Sequence, residues 1–144
     1  MEYRVCRNNP APYNDLNGKI SLLGLGTMRL PLRDAADQTS IDEEKAQEIF
    51  DYAYAHGVNY FDTAYPYHGG MSEKFCGKAL AKYPRASYHL ASKLPGWLLK
   101  CDEDVPRIFN EQLANCRTDY FDFYLAHSVP VSYTHLRAHE TRSN

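Results

Sequence analysis

The chain has 144 residues, 44% of them hydrophobic and 24% charged, with a formal net charge of −2. That length predicts one domain with a real core, and the charge balance, with no basic stripe, argues against a nucleic-acid partner. No run of about 18 apolar residues exists to cross a membrane, and the opening Met1-Glu2-Tyr3-Arg4-Val5-Cys6-Arg7-Asn8 lacks the apolar stretch of a signal peptide. The first segment mixes Asn, Pro and Gly with short β-prone pieces, and Asn17-Gly18 is a hairpin-turn dipeptide, so an N-terminal hairpin is predicted over about residues 1–22. Ile20 to Leu25 reads as a buried strand, ended by Gly24-Leu25-Gly26-Thr27, and a polar loop follows to Gln38. Ser40 with Glu43 makes a capping box, and behind it Ala46, Ile49, Phe50, Ala53 and Tyr54 form one helical stripe. Gly57 stops that helix, where a left-handed residue is wanted.

Val58 to Phe61 is a short apolar strand with Asp62 at its carboxyl end. Ser72 caps a second helix whose inward face is Phe75, Cys76, Ala79 and Leu80. Tyr88 to Ser92 gives another strand, ended by Lys93. Asp102 or Asp104 starts a third helix carrying Val105, Ile108, Phe109, Leu113 and Cys116, and Tyr120 to Ala126 is a further strand closed by His127. Strands alternating strictly with helices imply a parallel sheet joined by right-handed crossovers. The expected fold is therefore α/β, with about four parallel strands and three helices.

Asp62 to Lys93 is 31 residues and Lys93 to His127 is 34, about one βα unit each. Three ionisable residues thus stand at equivalent places, the carboxyl ends of successive strands. In a parallel barrel those ends form the active-site face, and in an open sheet they line the ligand crevice. Gly24-Leu25-Gly26 does not make a dinucleotide fingerprint, because Arg29 stands where the third glycine belongs.

Each residue has an ordinary reading by itself. Asp62 serves as a cap or salt-bridge partner, His127 as a hydrogen-bonded histidine, and Tyr67 is one of 12 tyrosines. Together they say more. A half-buried Lys93 needs a partner, and Asp62 is one strand away. A phenol beside an ammonium ion ionises more easily, because the positive charge favours phenolate. A neutral imidazole nearby can hydrogen-bond a substrate oxygen. Such a set polarises a carbonyl and delivers a proton, and a cofactor must supply the electron pair.

The chain resembles the aldo-keto reductases, NADPH-dependent (β/α)8 barrels with an Asp, Tyr, Lys, His tetrad. The resemblance rests on Leu23-Gly24-Leu25-Gly26-Thr27-Met28 and on Gly57-Val58-Asn59-Tyr60-Phe61-Asp62-Thr63-Ala64-Tyr65-Pro66-Tyr67. Ala91-Ser92-Lys93-Leu94 and Asp119-Tyr120-Phe121-Asp122-Phe123-Tyr124-Leu125-Ala126-His127 complete it, over roughly residues 18 to 130. It implies Tyr67 as proton donor, Lys93 as the cation that assists it, Asp62 as the partner of Lys93, and His127 as the residue orienting the carbonyl. It also implies Thr27, Met28, Arg29 and Asp62 on the cofactor side, NADPH as cofactor, a small carbonyl compound as substrate, and Trp97 with His127 on the substrate side. Met28-Arg29-Leu30-Pro31 and His68-Gly69-Gly70 are similar to a bacterial subgroup whose members often end in a cysteine-rich iron–sulfur segment. This chain contains no such cysteine run.

A barrel takes about 250 residues, so the expected fold is the N-terminal half of a (β/α)8 barrel over residues 1–130. Such a half is expected to be inactive alone and to self-associate through the exposed barrel edge. Residues 131–144 read as a foreign or disordered tail, similar to translated sequencing adapter. His135, His139 and Glu140 there do not make H-E-x-x-H and have no third ligand in view, so no metal site is expected. The alternatives are a non-catalytic binding subunit or inert fragment, and a lyase forming a Schiff base on Lys93. Cys6, Cys76, Cys101 and Cys116 stand far apart, which fits the reduced thiols of a cytoplasmic protein.

Overall fold

In a computed structural model of the chain, residues 1–5 and 19–129 are described. Among these residues two β-sheets and three α-helices form. The strands are β1 (Tyr3–Val5), β2 (Lys19–Ser21), β3 (Leu25–Gly26), β4 (Tyr60–Asp62), β5 (His89–Pro95) and β6 (Phe123–His127). The helices are α1 (Glu43–Ala55), α2 (Met71–Leu80) and α3 (Asp104–Asn115). Strand β1 pairs antiparallel with β2, as a hairpin would, although its predicted turn at Asn17-Gly18 lies outside the described residues. So do Cys6 and the segment 131–144 with its His135, His139 and Glu140.

The second sheet runs β3-β4-β5-β6, every pair parallel. The predicted strand from Ile20 to Leu25 is divided between the two sheets. Ser21 accounts for the break: its hydroxyl donates to Leu23 O at 2.7 Å while its N–H donates to Asn59 Oδ1 at 2.8 Å, and the chain turns there. Gly24 then passes so close to Tyr60 that a Cβ would lie 2.8 Å from that ring. The other strands begin one to three residues later than predicted. The last starts at Phe123 because Asp122 meets Leu90 through both backbone and side chain, with Asp122 N donating to Leu90 O at 2.9 Å and Leu90 N to Asp122 Oδ2 at 2.8 Å.

Helix α1 is not capped by Ser40. Glu43 is its first residue, so Asp42 is adjacent, and its carboxylate accepts from Lys45 N at 3.3 Å. The Ser40 hydroxyl instead closes the preceding loop onto Asp34 and Asp37. At the other end Gly57 has φ +85, Gly57 N donates to Tyr54 O and Val58 N to Ala53 O, a complete Schellman motif. Ala46 and Phe50 are fully buried, but Ile49 is 40% exposed, and with Leu23, Leu25, Tyr52 and Val58 it lines an open apolar groove. Helix α2 follows a left-handed Gly70, so Ser72 lies inside the first turn rather than at the cap. Its predicted inward face, Phe75, Cys76, Ala79 and Leu80, is buried throughout. In α3 the buried positions are Ile108 and Gln112, whereas Val105 is exposed.

The core lies between the sheet and the helices. Phe50 stacks on Phe61 with centroids 5.3 Å apart and meets Phe75 edge-on at 5.4 Å, an arrangement aromatic quadrupoles favour. No helix among the described residues is long and apolar enough to cross a membrane.

Candidate active site

Parallel pairing puts the carboxyl ends of all four strands on one side. Gly26 is opposite Asp62, Asp62 opposite Ala91, and Pro95 opposite His127. Asp62 and Lys93 thus reach the same rim from adjacent strands. Lys93 Nζ donates to Asp62 Oδ1 at 2.6 Å and to Thr63 O at 2.7 Å. The side chains are 13% and 27% exposed respectively, so the ion pair sits where water reaches one side.

Tyr67 is carried by a tight turn, Tyr67–Gly70, in which His68 (φ 52) and Gly69 (φ 62) are left-handed. That turn folds the Tyr67 ring under the lysine, with Lys93 Nζ over it 4.8 Å from the centroid. The ammonium therefore approaches the π-face, a favourable cation–π placement, while Asp62 and Thr63 take two of its three donors. His127 closes the far side, its ring edge-on to Tyr67 at 5.8 Å. Trp97 leans over His127 at 5.0 Å and is 53% exposed. Asp62, Tyr67, Lys93, His127 and Trp97 come together at one rim of the sheet.

His127 is the unusual member. Its Nδ1 is buried and makes no hydrogen bond among the described residues. Burial, then the Lys93 charge, push its pKa below the ordinary 6.5, and Asp62 opposes them weakly. Both effects favour the neutral ring.

The cofactor-side residues divide. Met28 is 61% exposed and Arg29 is exposed beside the rim. Thr27 is fully buried, and its hydroxyl is spent on Asp62 O at 3.0 Å and Ser72 Oγ at 2.8 Å. It ties β3 to β4 and has no free group to offer a ligand.

Several other residues support the site without having been assigned to it from the sequence. His68 is buried, accepts from Leu30 N at Nε2 and faces Gln38 O through Nδ1, pinning the loop after β3 to the Tyr67 turn. Thr63 contributes through its backbone oxygen, to which side-chain chemistry gives no clue. Glu73 and Gln112 are wholly buried behind Lys93; a carboxylate inside a helical stripe could have been noticed, because charged residues are almost never buried without partners.

The parallel α/β sheet thus carries a carboxylate, an ammonium, a phenol and an imidazole at its carboxyl rim, the face on which parallel barrels place their active sites. The Aldo/keto reductase family profile matches residues 22–141, and the chain belongs to that family. The match runs on past residue 130. L-Galactose dehydrogenase of Arabidopsis thaliana is 32% identical over 117 residues, covering 77% of this chain and 35% of the relative. Protein tas of Escherichia coli is 30% identical over 135 residues, covering 81% and 36%. Among solved structures, the holo form of an aldo-keto reductase from Bacillus halodurans superposes with a TM-score of 0.64 at 30% identity, covering 87% of this chain and 40% of that one. An aldo-keto reductase from Klebsiella pneumoniae in complex with NADPH superposes with a TM-score of 0.64 at 26% identity, covering 98% and 45%. The chain spans about a third of the length of these curated relatives, and its four-stranded sheet and three helices are the corresponding portion of their barrel fold.

Proposed function

We propose that these residues form the proton-handling part of an NADPH-dependent carbonyl reductase, converting an aldehyde or ketone to an alcohol. The observation that carries the reading is the Lys93 ammonium, clamped between Asp62 Oδ1 and Thr63 O and lying over the Tyr67 ring. The exposed thioether of Met28, the Arg29 guanidinium and the Asp62 carboxylate offer the apolar, cationic and hydrogen-bonding groups that fit a nicotinamide nucleotide. That nucleotide, when bound, supplies the hydride. Tyr67 Oη gives its proton to the carbonyl oxygen, and the fixed charge of Lys93 stabilises the negative charge left on the phenol oxygen. Asp62 keeps that charge aimed. Neutral His127 donates to the carbonyl oxygen, and Trp97 supplies an apolar wall for the rest of the substrate. Lys93 is an ion-paired ammonium with no lone pair to offer, which weighs against the Schiff-base reading. No further strand pairs with β6 among the described residues, and Tyr124 and Leu125 there are 36% and 42% exposed, which supports self-association of the chain through that edge.

A chimaera tests the function. Residues 22–129 replace the matching segment of the Klebsiella pneumoniae relative, and NADPH oxidation is followed with a panel of aldehydes. Tyr67→Phe is expected to lower kcat by about 10²–10⁴-fold while cofactor titration stays unchanged. Normal turnover by that variant overturns the reading.

A further inference from the structure

Behind Lys93, on the helix side of the sheet, lies a second polar cluster that the reaction does not touch. Glu73 of α2 is 0% exposed, and no cation is bound to it among the described residues. Its Oε1 accepts from Ser92 Oγ at 2.6 Å and from Gln112 Nε2 at 2.6 Å, and its Oε2 from Asn115 Nδ2 at 3.3 Å. Gln112, also 0% exposed, reaches Lys93 O with the same amide nitrogen at 3.1 Å. Its Oε1 in turn accepts from Tyr124 Oη at 2.6 Å. A buried carboxylate held by neutral donors alone is expensive, and most ways of filling this space with apolar groups would cost less.

The placement gives the cluster a use. Along β5, Ser92 and Lys93 point to opposite faces, as neighbours in a strand must. Glu73 grips the Ser92 hydroxyl on the helix side and Gln112 grips the Lys93 carbonyl, so the backbone of β5 is fixed from behind on both sides of the Lys93 Cα. Asp62 and Thr63 O then fix the far end of the same lysine at Nζ. The residue before Glu73 does the matching job one strand over: Ser72 Oγ lies 2.8 Å from Thr27 Oγ1 and 3.0 Å from Thr63 Oγ1. Two consecutive side chains of α2 therefore set the strands that carry Asp62 and Lys93.

We propose that Glu73, acting with Gln112, is a positioning residue for Lys93: it fixes the strand peptide that presents the ammonium to Asp62 and Tyr67. Calling Lys93 part of a reductase rests on the reading above, whereas the positioning is measured without turnover. The full chain, with no substrate or cofactor, is labelled with trace acetic anhydride, and each lysine is quantified by mass spectrometry relative to the exposed Lys45. Loss of one charge-assisted hydrogen bond predicts that Glu73→Gln raises the relative rate of Lys93 about tenfold. Tyr124→Phe removes a single neutral bond from the partly exposed edge of the cluster, and is expected to raise it about twofold to threefold. That milder variant decides the matter if Glu73→Gln does not fold. An unchanged Lys93 rate in a folded variant overturns the proposal. So does a rise shared equally by Lys78 and Lys82, which reports general loosening rather than release of one side chain. If Lys93 responds as expected while Tyr67→Phe leaves turnover intact in the chimaera, the functional reading falls and the positioning stands.

Discussion

Replacing Arg85 with methionine is the sharpest stability test, because it keeps the aliphatic stem and removes every donor. Arg85 Nη2 donates to Asp122 Oδ2 at 2.7 Å and to Tyr120 O at 3.0 Å, Nη1 to Tyr88 O at 3.0 Å, and Nε to Thr118 Oγ1 at 2.9 Å. The guanidinium also stacks on the Tyr120 ring at 3.9 Å and the Tyr88 ring at 4.9 Å. The Asp122 side chain is 2% exposed and that of Arg85 23%. Taking the cation from a buried carboxylate costs about 3–5 kcal/mol. Water enters at the exposed side of Arg85 and re-solvates some of the three neutral acceptors, which at about 1 kcal/mol each add little beyond that range. The expected loss at pH 7 is therefore about 3–5 kcal/mol, a large part of the stability of about 5–15 kcal/mol that a domain has.

The same pair predicts a pH signature. Burial, the largest single influence, pushes the Asp122 pKa up, but the hydrogen bonds from His89 and Leu90 N and the Arg85 charge bring it below the ordinary 3.8. A depressed carboxyl pKa contributes stability that is present above the unfolded value and lost as pH falls through the folded one. In Arg85→Met the carboxyl protonates earlier, which relieves the penalty. Urea unfolding at pH 7 and at pH about 3.5 is expected to show a smaller difference between variant and parent in acid. A loss under about 1 kcal/mol at pH 7, or a difference that grows on acidification, refutes the reasoning.

Gly77→Ala improves helix propensity by up to about 1 kcal/mol, yet a Cβ there would lie 2.5 Å from Asn115 O and 2.6 Å from Cys116 C. The obstacles are backbone at the end of α3, so net destabilisation of about 1–3 kcal/mol is expected in urea unfolding, and a more stable variant contradicts the packing. For His127, a ring-proton NMR titration is expected to give a midpoint below 6.5, rising in Lys93→Met, because burial and the Lys93 charge both disfavour the imidazolium. The unfolded chain then takes up that proton first, so His127 lowers stability as pH drops from 6.5 to its folded midpoint and not further below. A midpoint above 6.5 contradicts the site's electrostatics.

Much of this architecture is legible in the order of residues. Apolar positions at helical spacing mark the buried faces of α1 and α2, Gly57 marks the end of α1, and the strand–helix alternation marks a parallel sheet. Because parallel strands separated by one βα unit end on the same side, the spacing of Asp62, Lys93 and His127 brings them to one rim before any coordinates are known. Periodicity reports which neighbours along the chain share a face, and it stops there. It does not tell that Ser21 divides one apolar run between two sheets, that Asp42 rather than Ser40 caps α1, or that Ile49 in the α1 stripe stays exposed. Nor does it tell that Thr27 turns its hydroxyl inward to Ser72, leaving Met28 and Arg29 at the surface. The polar support of Lys93 is the clearest case. Glu73 meets Ser92 across 19 residues and Gln112 across 39, and a hydrogen bond at such separation exists because helices pack on the sheet at one particular rotation. Side-chain chemistry supplies the donors and acceptors, while tertiary packing alone decides which of them meet.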